Sequence, residues 1–141
     1  MVIIAAVDRS DRAAEVIRQA KPLAEAFDDN IHVVHVLTRS AFVKLGRTKA
    51  EEGDPIDMDQ FIDIATAIAE EATTSLDDPF EAVGLMGDPA KEVVDYAGEY
   101  KARYIVVAGR KRSPAGKVLF GSVAQSILLN AECPVVMSTS E

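Results

Sequence analysis

VIIAAVDRSDRAAEVIRQAKPLAEAFDDNIHVVHVL, residues 2–37, contains the whole argument for the fold. Val2–Asp8 is a short apolar run closed by Asp8, the pattern of a strand buried on both faces. From Ser10 to Phe27 the spacing becomes helical, with Ala13, Ile17, Ala20, Ala24 and Phe27 on one face and Ser10 placed as the N-cap. Pro22 lacks an amide and crowds the carbonyl of Arg18, so a kink is expected there rather than a break. Ile31–Leu37 then returns to a continuous apolar strand. Two buried strands joined through an amphipathic helix imply a crossover connection and a parallel pair.

The same alternation continues outward. Phe80–Met86, Tyr104–Gly109 and Pro134–Ser138 read as three more strands. A helix is expected near Met58–Ser75, with Phe61, Ala65, Ile68 and Ala72 inward. Another follows Asp88 as cap and Pro89 in the first helical position, where the missing amide costs nothing. A last one spans Val123 to about Asn130, with Ser122 and Gln125 spaced as a capping box. Thr38–Asp57 is polar, contains Gly46 and Gly53 and shows no clean period, so it reads as the longest loop and the most mobile part. The expected class is α/β, a parallel sheet of five strands with helices on both faces. Ligands in such sheets lie beyond the carboxyl ends of the strands, where strand order reverses. Asp8 closes one strand and Gly109 opens the loop after another. If the first and fourth strands are neighbours, both features meet in that crevice.

At 141 residues the chain has the length of one ordinary domain, and 48% apolar residues suffice for a core. The single cysteine, Cys133, excludes an internal disulfide and a cysteine-based zinc cluster. No apolar run approaches the roughly 20 residues that cross a bilayer, and no opening signal segment is visible. These features lead to the expectation of a soluble, cytoplasmic protein with no membrane partner. Residues 1–100 hold 9 Lys or Arg against 21 Asp or Glu, while residues 101–141 hold 6 against 2. An acidic body repels nucleic acid, so no nucleic-acid partner is expected. His35 reads as a satisfied core or pocket residue and His32 as exposed; with one cysteine beside them, no metal site is argued.

The basic excess gathers in one place. VAGRKRSPAGKVLFGSV, residues 107–123, places Arg110, Lys111, Arg112 and Lys117 among glycines just before the helix start at Gly121–Ser122. A helix amino end presents free amides and a partial positive charge, and Gly121 lets the backbone approach a ligand, so the loop suits phosphate. Solvated loop cations and plain punctuation are the alternative reading. Two better-known phosphate templates do not apply: Gly116-Lys117-Val118 lacks the hydroxyl of a P-loop, and no G-x-G-x-x-G occurs.

The segments AAVDRS, HVVHVL, GLMGDPAKEVVDYA and GRKRSPAGKVLFGSVAQSILLNAECPVVM resemble the universal stress protein family over nearly the whole chain. The resemblance implies a Rossmann-like α/β sandwich of five parallel strands ordered 3-2-1-4-5, within one domain spanning residues 1–141. ATP-binding members carry Gly-x2-Gly-x9-Gly-Ser/Thr after the fourth strand. Counting back from Gly121-Ser122, the earlier glycines fall on Ala108 and Lys111; a loop one residue shorter restores Gly109 and places Arg112 at the second. The long cation either contacts phosphate directly or fills its space. By the same resemblance Asp8 approaches the adenosine or a metal, Val36 reads adenine through its backbone, and Gly87 lines the pocket. Asp8 also reads as a plain capping residue and Gly87 as a plain turn.

The resemblance thus implies a homodimeric stress-response protein holding ATP, with Mg2+ as an accompanying ion. The alternative is a dimeric stress protein that has lost nucleotide and acts through protein partners. No triad, paired carboxylates or activated nucleophile stands out, so at most slow ATP hydrolysis by proximity is expected. The fifth strand, if at the sheet edge, would expose unpaired amides along an apolar run, and pairing it with its twin across a two-fold axis would hide them.

Overall fold

Strand order reverses once in this chain, and that reversal positions everything else. The computed structural model describes residues 1–53, 57–74, 79–109 and 121–139. Within them lie β1 (Val2–Ala6), α1 (Arg12–Phe27), β2 (Asn30–Leu37), α2 (Arg39–Glu51) and α3 (Met58–Glu71). They are followed by β3 (Phe80–Met86), α4 (Pro89–Glu99), β4 (Tyr104–Ala108), α5 (Ser122–Asn130) and β5 (Val135–Ser138). The strands form one parallel sheet, as their apolar runs led us to expect, in the order β3-β2-β1-β4-β5 that the family resemblance implied.

Alternation along each strand sorts the core into two layers. Ile3, Ala5, Ile31 and Val33 face Val16, Ile17, Ala20 and Ala24 of α1 and Ala69 of α3. Ile4, Val34, Ile105 and Val107 face Val93 and Ala97 of α4 and Ala124 and Ile127 of α5. Burial on both faces is why these strands read as unbroken apolar runs. Helix α1 passes through Pro22 without a break. Helix α4 begins as expected: the Lys91 amide donates to the Asp88 carboxylate at 3.0 Å, and Pro89 opens the helix.

Several expectations need correction. Thr38–Asp57 is not one long loop, because Arg39–Glu51 is helical. The Thr38 hydroxyl caps α2 by accepting from the Ala41 amide at 3.2 Å, and Phe42 packs on Phe61 of α3 with ring centroids 4.2 Å apart. No α2 residue is fully buried, so the helix carries only the narrow stripe Ala41, Phe42 and Leu45 and no clear apolar period. At α1 the flanking position is Asp11 rather than Ser10, whose hydroxyl is engaged with Asp8. The face of α1 also differs: Val16 is buried, while Phe27 is exposed and covered on one side by the Arg103 guanidinium, 4.2 Å from its ring centroid. At α3, Ala69 takes the buried place expected of Ala72, which lies only partly buried. His32 is not exposed: its Nδ1 lies 2.7 Å from the Tyr96 hydroxyl and the edge of Tyr100 packs against its ring.

A buried carboxylate pins the end of α1 to the start of β4. Asp29, its side chain 3% exposed, accepts from Arg103 Nε at 2.6 Å and lies 3.4 Å from the Met1 amine. The Arg103 hydrogen bond outweighs burial and, with the charges of Arg103 and the amine, holds the Asp29 carboxyl below its ordinary 3.8. A carboxylate depressed on folding stabilises fully above its unfolded pKa and loses that contribution as pH falls through the folded value. Asp29→Asn therefore lowers unfolding free energy by about 2 kcal/mol at neutral pH, because Arg103 loses its buried partner. Urea melts should show the gap between the two proteins closing below pH ~4. A gap unchanged down to pH ~2 would mean that the ionised carboxylate is not what stabilises this corner.

Candidate functional site

The chain crosses from β3 at one edge to β4 on the other side of β1, and α1 and α5 pack on opposite faces of the sheet. A cleft of about 350 Å³ opens between them. Its floor is the carboxyl end of the sheet, with Ala6 at the end of β1 and Val7 just beyond it, Val34 and Val36 on β2, and Val107 and Ala108 on β4. One wall is the first turns of α5, from Gly121 to Ala124 with Ile127 deeper; the other is Arg12, Ala13 and Val16 of α1. Pro89 and Val93 of α4 close the apolar end. The volume and the mixture of apolar walls with a few polar groups are those of a small-molecule site.

The polar end is built on the turn between β1 and α1. Asp8 Oδ1 accepts from the Ser10 amide at 2.8 Å and from the Ser10 hydroxyl at 2.5 Å. Its second oxygen, Oδ2, faces Arg12 Nη2 at 3.8 Å, across one turn of chain. Asp8 thus fixes the turn before α1 and lines the cleft, without capping the helix itself. His35 is buried with Nδ1 2.9 Å from the Val7 carbonyl. A carbonyl can only accept, so Nδ1 carries the proton, and the histidine is the satisfied pocket residue expected. Thr38 lines the cleft while capping α2.

Opposite stands the amino end of α5. The expected capping box is absent. Gly121, in extended backbone, flanks the helix, Ser122 is its first residue, and the Gln125 amide donates to the Gly121 carbonyl at 3.0 Å. Once Ser122 has helical geometry, its hydroxyl can no longer reach over the Gln125 amide as an N-cap would. The first-turn amides still supply a partial positive charge beside the cleft.

Four expected residues, Asp8, Val36, Gly121 and Ser122, therefore line one cavity. Gly87 and Gly109 are not among its lining residues. Gly87 adopts φ 138°, donates its amide to the Leu37 carbonyl at 3.0 Å, and a Cβ there would come within 2.9 Å of Glu92 Oε1, so glycine is required by the turn itself. Gly109 donates to the Ser138 carbonyl at 2.7 Å and packs against Met137, which ties β4 to β5. Arg110, Lys111, Arg112 and Lys117 lie outside the described residues. Arg12 and Thr38 line the cleft without having been singled out from the sequence. The four-residue spacing from Asp8 to Arg12, across a strand end and a helix start, was the available signal for the first.

The Universal stress protein family matches residues 1–138. A universal stress protein of Thermus aquaticus is 30% identical over 136 residues, covering 96% of each chain. A universal stress protein structure from Archaeoglobus fulgidus superposes with a TM-score of 0.64 at 34% identity, covering 96% of each chain. A second Archaeoglobus fulgidus structure, a complex with dAMP, gives a TM-score of 0.58 at 26% identity and covers 96% of this chain and 94% of that one. Among the described residues, no helix is long and apolar enough to cross a membrane.

Proposed function

This chain belongs to the universal stress protein family, and from that premise we propose that it binds an adenine nucleotide, ATP included, in the cleft at the carboxyl ends of β1, β2 and β4. The observation that carries the reading is the cleft's division into two ends. Val34, Val36, Val107 and Ile127 offer apolar surface for a flat ring, while Arg12 and the amino end of α5 offer positive potential for phosphate. The dAMP-bound relative supports this choice of ligand. In this reading Asp8 faces the adenosine, the Val36 backbone reads adenine, and Gly121 and Ser122 receive phosphate. Gly87 and Gly109 shape the two flanking turns, and Arg110, Lys111 and Arg112 approach the phosphates from the preceding loop. Calorimetric titration with ATP, ADP and AMP should give one site per chain with micromolar affinity; absence of binding by all three would overturn the reading.

The working form is a cytoplasmic homodimer joined through β5, active in the stress response. β5 is an edge strand, and the neighbouring α5 leaves Leu129 76%, Val123 42% and Leu128 40% exposed. An unpaired edge beside exposed apolar side chains is a surface that a second copy covers at little cost. Light scattering should return twice the 15.2 kDa of one chain, and a monomer at micromolar concentration would overturn this part.

A further inference from the structure

Nucleotide phosphates commonly arrive with a magnesium ion, and the donor set of this cleft can be tested for one. Magnesium asks for octahedral oxygen ligands and usually takes them from one or two carboxylates and the phosphates. Asp8 is the one carboxylate among the described lining residues. Its Oδ1 already accepts two hydrogen bonds from Ser10, and its Oδ2 faces the Arg12 guanidinium at 3.8 Å. An ion bound to Oδ2 would sit against that guanidinium and be repelled by it. These residues do not fit the ion.

They fit something else. A phosphate entering near a bare Asp8 would meet a like charge, and Arg12 cancels that charge while its remaining donors stay available. A guanidinium carries five N–H donors in a fixed fork that suits phosphate oxygens. Side-chain exposures of 36% for Arg12 and 56% for Asp8 leave the pair open to the cleft. Ser10 fixes the carboxylate from behind, and its hydroxyl also accepts the Arg12 amide at 3.2 Å, so the turn that orients Asp8 also starts the helix that carries Arg12.

Building on the nucleotide reading above, we propose that Arg12, held against Asp8, is a phosphate-reading cation of this cleft, and that it takes the place of a divalent ion. Nucleotide binding by the wild-type chain is then independent of magnesium. AMP and ATP should titrate with dissociation constants within about threefold of each other in EDTA and in excess Mg2+, an interval under 0.7 kcal/mol. Arg12→Gln should weaken AMP and ATP binding about tenfold in EDTA, and Mg2+ should recover part of it, because Oδ2 of Asp8 is now free for the ion. Arg12→Lys should retain most of the affinity without Mg2+, and Asp8→Asn combined with Arg12→Gln should abolish the recovery. Circular dichroism melts of each variant distinguish lost binding from lost fold. Wild-type binding that disappears in EDTA overturns the inference and leaves the nucleotide site standing. Binding unchanged in Arg12→Gln overturns it as well. A wild-type chain that binds no adenine nucleotide in either buffer removes the site and the inference together.

Discussion

Gly84→Ala lowers the melting temperature by about 10 °C, a loss of roughly 3 kcal/mol for a chain of this length. The effect is backbone against backbone. A Cβ at Gly84 would stand 2.4 Å from the Thr66 amide nitrogen and 2.5 Å from the Ile62 carbonyl oxygen, both in α3. Neither atom can turn aside as a side-chain tip would. Local relief is also closed off, because the Thr66 hydroxyl, 2.5 Å from the same point, is bonded to that Ile62 carbonyl. The added methyl must lift α3 from β3 at a point where the two backbones pack directly on each other. Gly98 is the control: it lies in α4 with nothing within 4 Å of an added Cβ, so Gly98→Ala should stabilise by about 0.5 kcal/mol. Scanning calorimetry of both proteins checks the pair. A Gly84→Ala melt within about 2 °C of wild type would show that α3 can shift cheaply.

The second large effect concerns the cleft. Ser122→Asp places a carboxylate on the first residue of α5, exposed and beside the cavity. For the helix this is favourable by about 0.5 kcal/mol, since negative charge complements the amino-terminal dipole. For an incoming phosphate it is repulsive, and a cost of about 2 kcal/mol corresponds to a roughly 30-fold weaker nucleotide. The two signs oppose each other, which separates a binding defect from a folding defect in one protein. Isothermal titration should show the loss of affinity while the melting temperature stays level or rises. Undiminished affinity would place the phosphate away from the α5 amino end and overturn the orientation proposed for the ligand.

The parts of this molecule that the sequence disclosed are those where burial is two-sided. Strands such as Ile31–Leu37 and Tyr104–Ala108 carry apolar residues on both faces, so their signal survives small errors of register. Helix α4 is equally plain, because Asp88 and Pro89 mark its start by chemistry that needs no tertiary context. Helix α2 escaped notice because it buries no residue completely and packs through the narrow stripe Ala41, Phe42 and Leu45 alone. His32 looked exposed because the hydroxyl that satisfies it, on Tyr96, lies in a helix far along the chain. The cleft was legible in half. Asp8 and Gly121–Ser122 were found because strand-end and helix-start chemistry is local. Gly87 and Gly109 lie outside the lining of this cleft: one is held by a turn and the other by β5, and a lone glycine spells a close approach without saying to what. Gly84 was silent for the same reason, although a glycine inside a strand is itself a sign of backbone proximity.

Ala6 and Ile127 stand across the same cavity although they lie near opposite ends of the chain. A growing polypeptide that has completed β1, α1 and β2 already owns one wall and part of the floor, yet the cleft is not enclosed until β4 and α5 are synthesised and docked. Any ligand of this cleft would consequently select chains that have assembled both ends of the sequence around it.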